Sequence, residues 1–495
     1  MKTRTKTIIL LLTMALTLFS SVAFSSPAVS EANSAPRETI GYDSSGVIVK
    51  TENSPIVVDK EDLTFHIYSA DRFIPVQEYV RRGTVTAEYT FRNPTNLIVE
   101  TRCLFPFGLV PYDESQTEAD KEYFKVKTNG KDADKTIRHT YKADPFKKFD
   151  LEEDLRYFSD DFIADDTLST DLTVYEYVLD VKGANGKLPT YVMFSDNVKN
   201  FKYIVADNYV KYEKNGDLME LVAWQDGLKN GQLTLAFVGE DVTDIESKFS
   251  FFDDKWKSVG GSVVKGKKVE YNFKDYALKF RPAGSDVSDV DWYNATIAMI
   301  KSRTSTVFQV WELSLSTLLF RWYDYTLTFA PEETLVNTVS APLYPSATRN
   351  YVPPLYPSAT RNYVPPVYSY TYLLSPAAGW ADFNNLTIRI YTDMYLLRGE
   401  TRKSVTNPDG SITVTGETVD FTKNGGIYEA YFEKLPDGDL TLFICESENP
   451  ERYKPPLGKV TKIIIILSTG IGLIVIATII LVVTVRKQKT KGKKK

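Results

Sequence analysis

The chain is poor in the residues that most often carry chemistry. Two cysteines, Cys103 and Cys445, and two histidines, His66 and His139, occur in 495 residues. So few cysteines exclude a disulfide-rich scaffold, and the fold must rest on apolar packing. They leave room for one long-range disulfide, Cys103 to Cys445, each in a strand-like run (LIVETRCLFPF and LTLFICES). The alternative is two separately buried thiols acting as small hydrophobes. Histidine scarcity removes HExxH and Cys/His ligand spacing, so a zinc hydrolase has almost nothing to work with. A Ser-His-acid triad would have to recruit His66 or His139, and no GxSxG elbow is present. No glycine-rich phosphate loop follows a strand and opens a helix, so nucleotide binding has no support.

Basic charge is scarce as well. Lysine and arginine number 59 against 64 aspartates and glutamates. Ten of the basic residues sit in the first six and last ten positions, which leaves the rest of the chain at about −15. Such a surface gives no footing for nucleic acid.

Long apolar runs, by contrast, are present at both ends. MKTRTK followed by IILLLTMALTLFSSVAF reads as a signal peptide over 1–25, with small residues after it for cleavage. Ile463 to Val485 is apolar and uncharged, long enough to cross a bilayer core of about 30 Å. The basic tail 486–495 follows and would stay in the cytoplasm. The expectation is a single-pass protein of the cell membrane, its N-terminal part outside. No lipobox cysteine or LPxTG suggests another anchor.

Between these ends the patterning is that of sheets. In TVTAEYTF, Val85, Ala87, Tyr89 and Phe91 fall on one side of a strand and Thr84, Thr86, Glu88 and Thr90 on the other. Asn93-Pro94 then turns the chain into a second strand, so the pair is expected to be a hairpin. Asn407-Pro408-Asp409-Gly410, Asn424-Gly425 and Pro436-Asp437-Gly438 separate alternating runs, which predicts an antiparallel meander. Helical spacing is confined to the middle. Ser288 and Asp291 resemble a capping box, and Val290, Tyr293, Ile297 and Ile300 form a stripe. Trp311 to Trp322 reads equally as helix or strand.

The expected fold is therefore mainly β: a multi-domain antiparallel β-sandwich ectodomain with a small central helical element and one C-terminal transmembrane helix. The expected order is a flexible arm (26–38), an N-terminal β-sandwich domain (39–250), a mixed β/helical segment (251–340), a Pro/Tyr-rich duplicated loop (341–372), a C-terminal antiparallel region (373–449) packed with 251–340, and a stalk (450–462).

Two features stand out as candidate sites. LYPSATRNYVPP occurs twice in tandem, at Leu343–Pro354 and Leu355–Pro366. Proline stiffens such a loop, and Tyr344, Arg349, Tyr351, Tyr356, Arg361 and Tyr363 are good contact residues. The plainer reading is a tolerated insertion. Tyrosine numbers 31 and clusters at Tyr363, Tyr368, Tyr370 and Tyr372, which suits a surface facing protein or carbohydrate as well as a sheet edge. Carboxylates crowd the segment 144–172, and Asp160, Asp161, Asp165 and Asp166 could offer oxygens to calcium, although EF-hand spacing is missing. A solvated acidic loop is the simpler account. No other cofactor is implied, and no catalytic residue is nominated.

Several phrases together, YTFRNPTNLIVETRCLFPFG, YDYTLTFAPEETLVNTVSAPLYP, YTYLLSPAAGWADFNNLTIRI and FEKLPDGDLTLFICESENP, resemble a group of uncharacterised Gram-positive bacterial membrane-anchored surface proteins with a β-rich ectodomain. That resemblance implies no activity. The leading expectation is a membrane-anchored extracellular binding or structural module of the bacterial cell surface, held by one helix, with an envelope protein or polysaccharide as partner. A cell-envelope polysaccharide hydrolase, or an accessory or sensor subunit of a membrane complex, is the alternative.

Overall fold

The computed structural model describes residues 49–452 other than 51–53, 69–82, 110–123, 143–150, 198–201, 208, 226–227, 229, 304, 310–312, 314, 344–358, 361–362, 366 and 408–410. A mainly-β, multi-sheet architecture is observed. The transmembrane element of the expected fold is corrected. Among the described residues no helix is long and apolar enough to cross a membrane, the longest being Asp289–Lys301. The expected span Ile463–Val485 lies outside the described residues, as do the expected leader, arm and basic tail. Single-pass attachment and the localisation drawn from it are accordingly not carried forward.

An eight-stranded sheet has Val57–Ile67 and Gly83–Arg92 near its centre, flanked by Asp382–Thr392 and Thr334–Leu343. A four-stranded sheet built on Val99–Leu109 and Leu319–Phe329, and a five-stranded sheet built on Val367–Tyr372, Asp439–Cys445 and Tyr395–Thr406, share one apolar cluster with it. Most pairings are antiparallel, but Val57–Ile67 runs parallel to Asp382–Thr392.

The expected hairpin at Asn93 is instead a corner between two sheets. Gly83–Arg92 pairs within the eight-stranded sheet and Val99–Leu109 within the four-stranded one. Asn93 is fully buried and holds the crossing. Its Nδ2 donates to Leu97 O at 2.7 Å and to Ala330 O at 2.8 Å, and its backbone N–H donates to Glu333 O at 2.9 Å. Leu319–Phe329 and Thr334–Leu343 make the same passage beside it. Strands that switch sheets in this way form the corners of packed sheets. The expected meander is corrected likewise: Ile427–Lys434 pairs into the eight-stranded sheet, whereas Asp439–Cys445 pairs into the five-stranded one.

Residues 173–309 supply a second pair of sheets. Five strands (Gly261–Asn272, Thr173–Gly183, Gln232–Val238, Tyr203–Ala206, Val307–Gln309) face four (Tyr209–Asn215, Leu218–Trp224, Tyr191–Asn197, Phe249–Phe252) across their own core. In Gln232–Val238, Leu233, Leu235 and Phe237 point into that core, while Ala236 and Val238 join a third cluster containing the helix Asp289–Lys301. Burial on both faces explains the nearly unbroken apolar run LTLAFV. The helix starts as expected, with Ser288 Oγ accepting from Asp291 N at 3.0 Å. Its buried face is wider than the spacing suggested, because every residue from Asp291 to Ile300 is buried, the polar Asp291, Asn294 and Thr296 included. Of the ambiguous stretch, Leu315–Leu318 is a short 3-10 turn and Trp322 lies in the strand Leu319–Phe329.

Candidate functional site

The residues nominated from sequence are only partly within the described structure. Tyr344, Arg349, Tyr351, Tyr356 and Arg361 lie outside the described residues. Tyr363 belongs to the short strand Tyr363–Val364, which pairs with Glu451–Arg452. The neighbouring tyrosines are not a contact surface: Tyr368, Tyr370 and Tyr372 are buried in the main apolar cluster. Cys103 and Cys445 are both buried as thiols and no disulfide joins them. Cys103 Sγ lies 3.7 Å from Thr101 O, and Cys445 Sγ 3.6 Å from Pro365 O.

The acidic segment serves the fold. Asp160 takes both Nη atoms of Arg102, at 2.6 and 2.7 Å, and Nη1 of Arg138 at 2.6 Å. Those guanidiniums, Arg102 foremost, hold its carboxyl down at about 2. Arg102 also pairs with Asp324, and Arg138 with the buried Asp291. Both guanidiniums lie over the Phe158 ring, 5.1 and 4.5 Å from its centre. Strands Val99–Leu109, Thr136–Tyr141 and Leu319–Phe329 are thereby tied to the helix Asp289–Lys301. Asp165 caps its own turn, accepting from Thr167 N at 2.8 Å, and pairs with Lys301 at 3.0 Å. Burial opposes its ionisation, yet the Thr167 hydroxyl and Lys301 bring it to about 2. Asp161 and Asp166 are exposed. Among the described residues no group of three or more His, Cys, Asp or Glu could hold a metal ion, so the four aspartates do not form the calcium cage their clustering suggested.

A cleft of about 100 Å³ opens beside this network, with His139, Tyr141, Asp154, Arg156, Tyr157 and Lys301 in its walls. Burial lowers the His139 imidazole to about 4, against the pull of Asp286 and Asp291. Its Nε2 and Nδ1 stand 3.8 and 3.9 Å from those carboxylates, too far for hydrogen bonds. The other walls are committed. Lys142 Nζ meets Asp154 at 2.8 Å, Ser302 Oγ donates to Met299 O at 2.8 Å, and Thr140 Oγ1 accepts from Trp322 Nε1 at 2.9 Å. Among the described residues neither imidazole nitrogen has a hydrogen-bond partner, as a base paired with a nucleophile would.

A more open feature lies on the outer face of the four-stranded sheet of the 173–309 sandwich. Trp224, Tyr191 and Phe252 are direct cross-strand neighbours in one row. Alternation sends Ala223, Val192 and Phe251 inward and turns the three aromatic rings outward. Trp256 completes the group from the following turn. Its ring stacks on Tyr191 with centres 4.4 Å apart and planes at 12°, and lies 5.7 Å from Phe252. Trp224 and Trp256 are nonetheless 43% and 48% exposed.

The turn is built to hold that ring. Trp256 adopts a left-handed backbone at φ 59°, a conformation costly for a bulky residue. Asp253 fixes it: Oδ1 accepts from Lys255 N and Lys257 N, each at 2.9 Å, and Trp256 N donates to Asp253 O at 3.1 Å. The Lys257 and Lys255 amides keep the Asp253 carboxyl below its ordinary range. Gly261 begins the returning strand where a side chain would meet the Phe251 ring at 2.6 Å. Asp254, Lys255, Lys257 and Ser258, the neighbours of Trp256 in sequence, are exposed. Sequence reasoning passed over this row. The available signal was Trp224 at an outward position and Trp256 in the polar turn DDKWK.

No family model matches the chain, and no curated relative matches it. The resemblance to membrane-anchored Gram-positive surface proteins therefore finds no support and is withdrawn. Among solved structures, a Legionella pneumophila protein described, provisionally, as nutrient binding aligns at 10% identity over 81% of this chain and 70% of its own, with a TM-score of 0.26. A likeness that low carries no argument about fold or function.

Proposed function

We propose that the chain is a binding module that takes an oligosaccharide along the row Trp224–Tyr191–Phe252–Trp256, without transforming it. The observation that carries this reading is Trp256, held half-exposed in a strained backbone by an aspartate turn, with its ring stacked on the row. Exposed tryptophan costs solvation unless something covers it, and strain of this kind is retained where geometry matters. Exposed indole faces suit the C–H faces of sugar rings, and tryptophan is among the side chains that most often dominate contact energy. Exposed Lys255, Lys257, Asp254 and Ser258 offer donors and acceptors to the hydroxyls at the ring edges.

Affinity electrophoresis of the full chain through gels containing neutral β-glucan, xylan or mannan, with chitin oligosaccharides by calorimetry, tests it. Retardation by at least one is expected, weakened about tenfold or more by Trp256→Ala and by Trp224→Ala. Binding that survives both substitutions unchanged, or no binding across the set, overturns the reading.

A further inference from the structure

A different feature lies in the main core and does not depend on the reading above. Glu61 is fully buried in the strand Val57–Ile67. A bulge at Asp59 puts it there. The register shifts between Val58 and Lys60, so Val58 and Glu61 both face inward. Arg92 binds the extruded Asp59 side chain at 2.8 and 3.0 Å, and Asn385 Nδ2 donates to Asp59 O at 2.9 Å. The bulge is thus secured from the strands on both sides.

Among the described residues no cation is paired with Glu61. Tyr372, from the facing five-stranded sheet, donates its hydroxyl to Oε1 at 3.2 Å, and the Tyr89 hydroxyl lies 3.2 Å from that of Tyr372. Oε2 has no hydrogen-bond partner among the described residues. From the strand Asp382–Thr392 the register neighbour is the apolar Leu386. Asp62, the next residue, turns to the opposite face and pairs with Arg389 at 2.9 Å and with Lys60. Tyr89, Tyr372 and Asp62 are therefore the titratable groups that act on Glu61. The tyrosines are both pushed up by burial and stay neutral. Desolvation raises Glu61 to about 7, outweighing the two hydroxyls.

We propose that Glu61 is a proton-operated latch between the eight-stranded and five-stranded sheets. Protonated, the carboxyl is neutral and sits in the apolar core against Tyr372. Ionised, it carries an uncompensated charge there, and the strands Val367–Tyr372 and Asp439–Cys445 part from it to admit water. The step is a single proton exchanged with solvent.

Hydrogen exchange read by mass spectrometry at pH 5.5 and 8.5, corrected for intrinsic rates, tests the latch on the full chain. Peptides covering Val367–Tyr372 and Asp439–Cys445 are expected to exchange at least tenfold faster at the higher pH, and Glu61→Gln should abolish that difference. Equal corrected rates in the wild type, or a difference that survives Glu61→Gln, overturns it. Should that variant fail to fold, Tyr372→Phe decides. Removing a hydroxyl that favours the carboxylate should move the wild-type midpoint to higher pH, and a midpoint that stays or falls refutes the proposal. The infrared C=O band of the protonated carboxyl, followed through the same pH range, is an independent readout: it must fade as exchange accelerates.

Discussion

Asp160, Asp291 and Asp324 at the arginine junction, and Glu61 in the main core, answer the same question in opposite ways. Asp291, Asp324 and Glu61 are carboxyls drawn away from bulk water by the packing of sheets, whereas Asp160 stands at the exposed end of its group. At the junction with the helix Asp289–Lys301, two arginines arrive with the carboxylates, and Asp160 is held down at about 2. In the main core only hydroxyls arrive, and Glu61 is pushed up to about 7. A neighbouring cation and desolvation thus push a carboxyl in opposite directions. The first arrangement ties elements together at any ordinary pH, whereas the second ties them only while a proton is present.

Removing a cation from the first arrangement should have the largest effect. Arg138→Met would leave Asp291, 2% exposed, without its charge partner while keeping most of the side-chain volume. Breaking one side of a buried pair costs about 3–5 kcal/mol, read as a lower urea midpoint with the slope unchanged. A loss below about 1 kcal/mol would show that the His139 N–H, which reaches Asp291 Oδ2 at 2.9 Å, suffices to hold the carboxylate.

The second arrangement should respond to pH with the opposite sign. Glu61 binds its proton more tightly folded than unfolded, so the native state gains protons and stability falls as pH rises from about 4.5 through about 7. Over that window the loss approaches about 3 kcal/mol. Glu61→Gln should flatten this fall, gaining on the wild type at pH 8 and not at pH 4. Melting temperatures at the two pH values check it; a variant less stable than wild type at pH 8 would mean that the ionised form is solvated without cost.

Much of this contrast was hidden from sequence for a physical reason. Alternation in Gly83–Arg92 shows which face is buried, because period two survives whatever the sheet partner is. Sheet membership did not show, since Asn93 and the Ala330–Glu333 turn look like hairpin turns locally and become corners only through bonds to each other. Glu61 was similarly concealed. Counting alternately back from Leu63 places it inward, but counting forward from Val58 places it outward, and only the bulge reconciles the two. The acidic segment was legible as acidic, while its arginine partners lie 58 and 22 residues away in sequence. Trp256 was missed because turns are read for polarity, and a tryptophan in one carries no periodic signal.

The smallest expected effect belongs to the exposed end of the arginine network. Asp160 is 61% exposed although it bridges Arg102 and Arg138, so solvent screens most of what those contacts are worth, and Asp160→Asn should cost below about 1 kcal/mol at pH 7. Its pH dependence separates it from Glu61. The folded carboxyl lies below its ordinary 3.8, at about 2; its contribution is complete above the ordinary value and disappears as pH falls through the lower one. Wild type and Asp160→Asn should therefore differ at pH 6 and converge near pH 2, in an acid titration followed by tryptophan fluorescence. Convergence is the informative part. A gap that persists at pH 2 would show that asparagine disturbs the Phe158 stack under the two guanidiniums, and that geometry rather than charge makes Asp160 useful there.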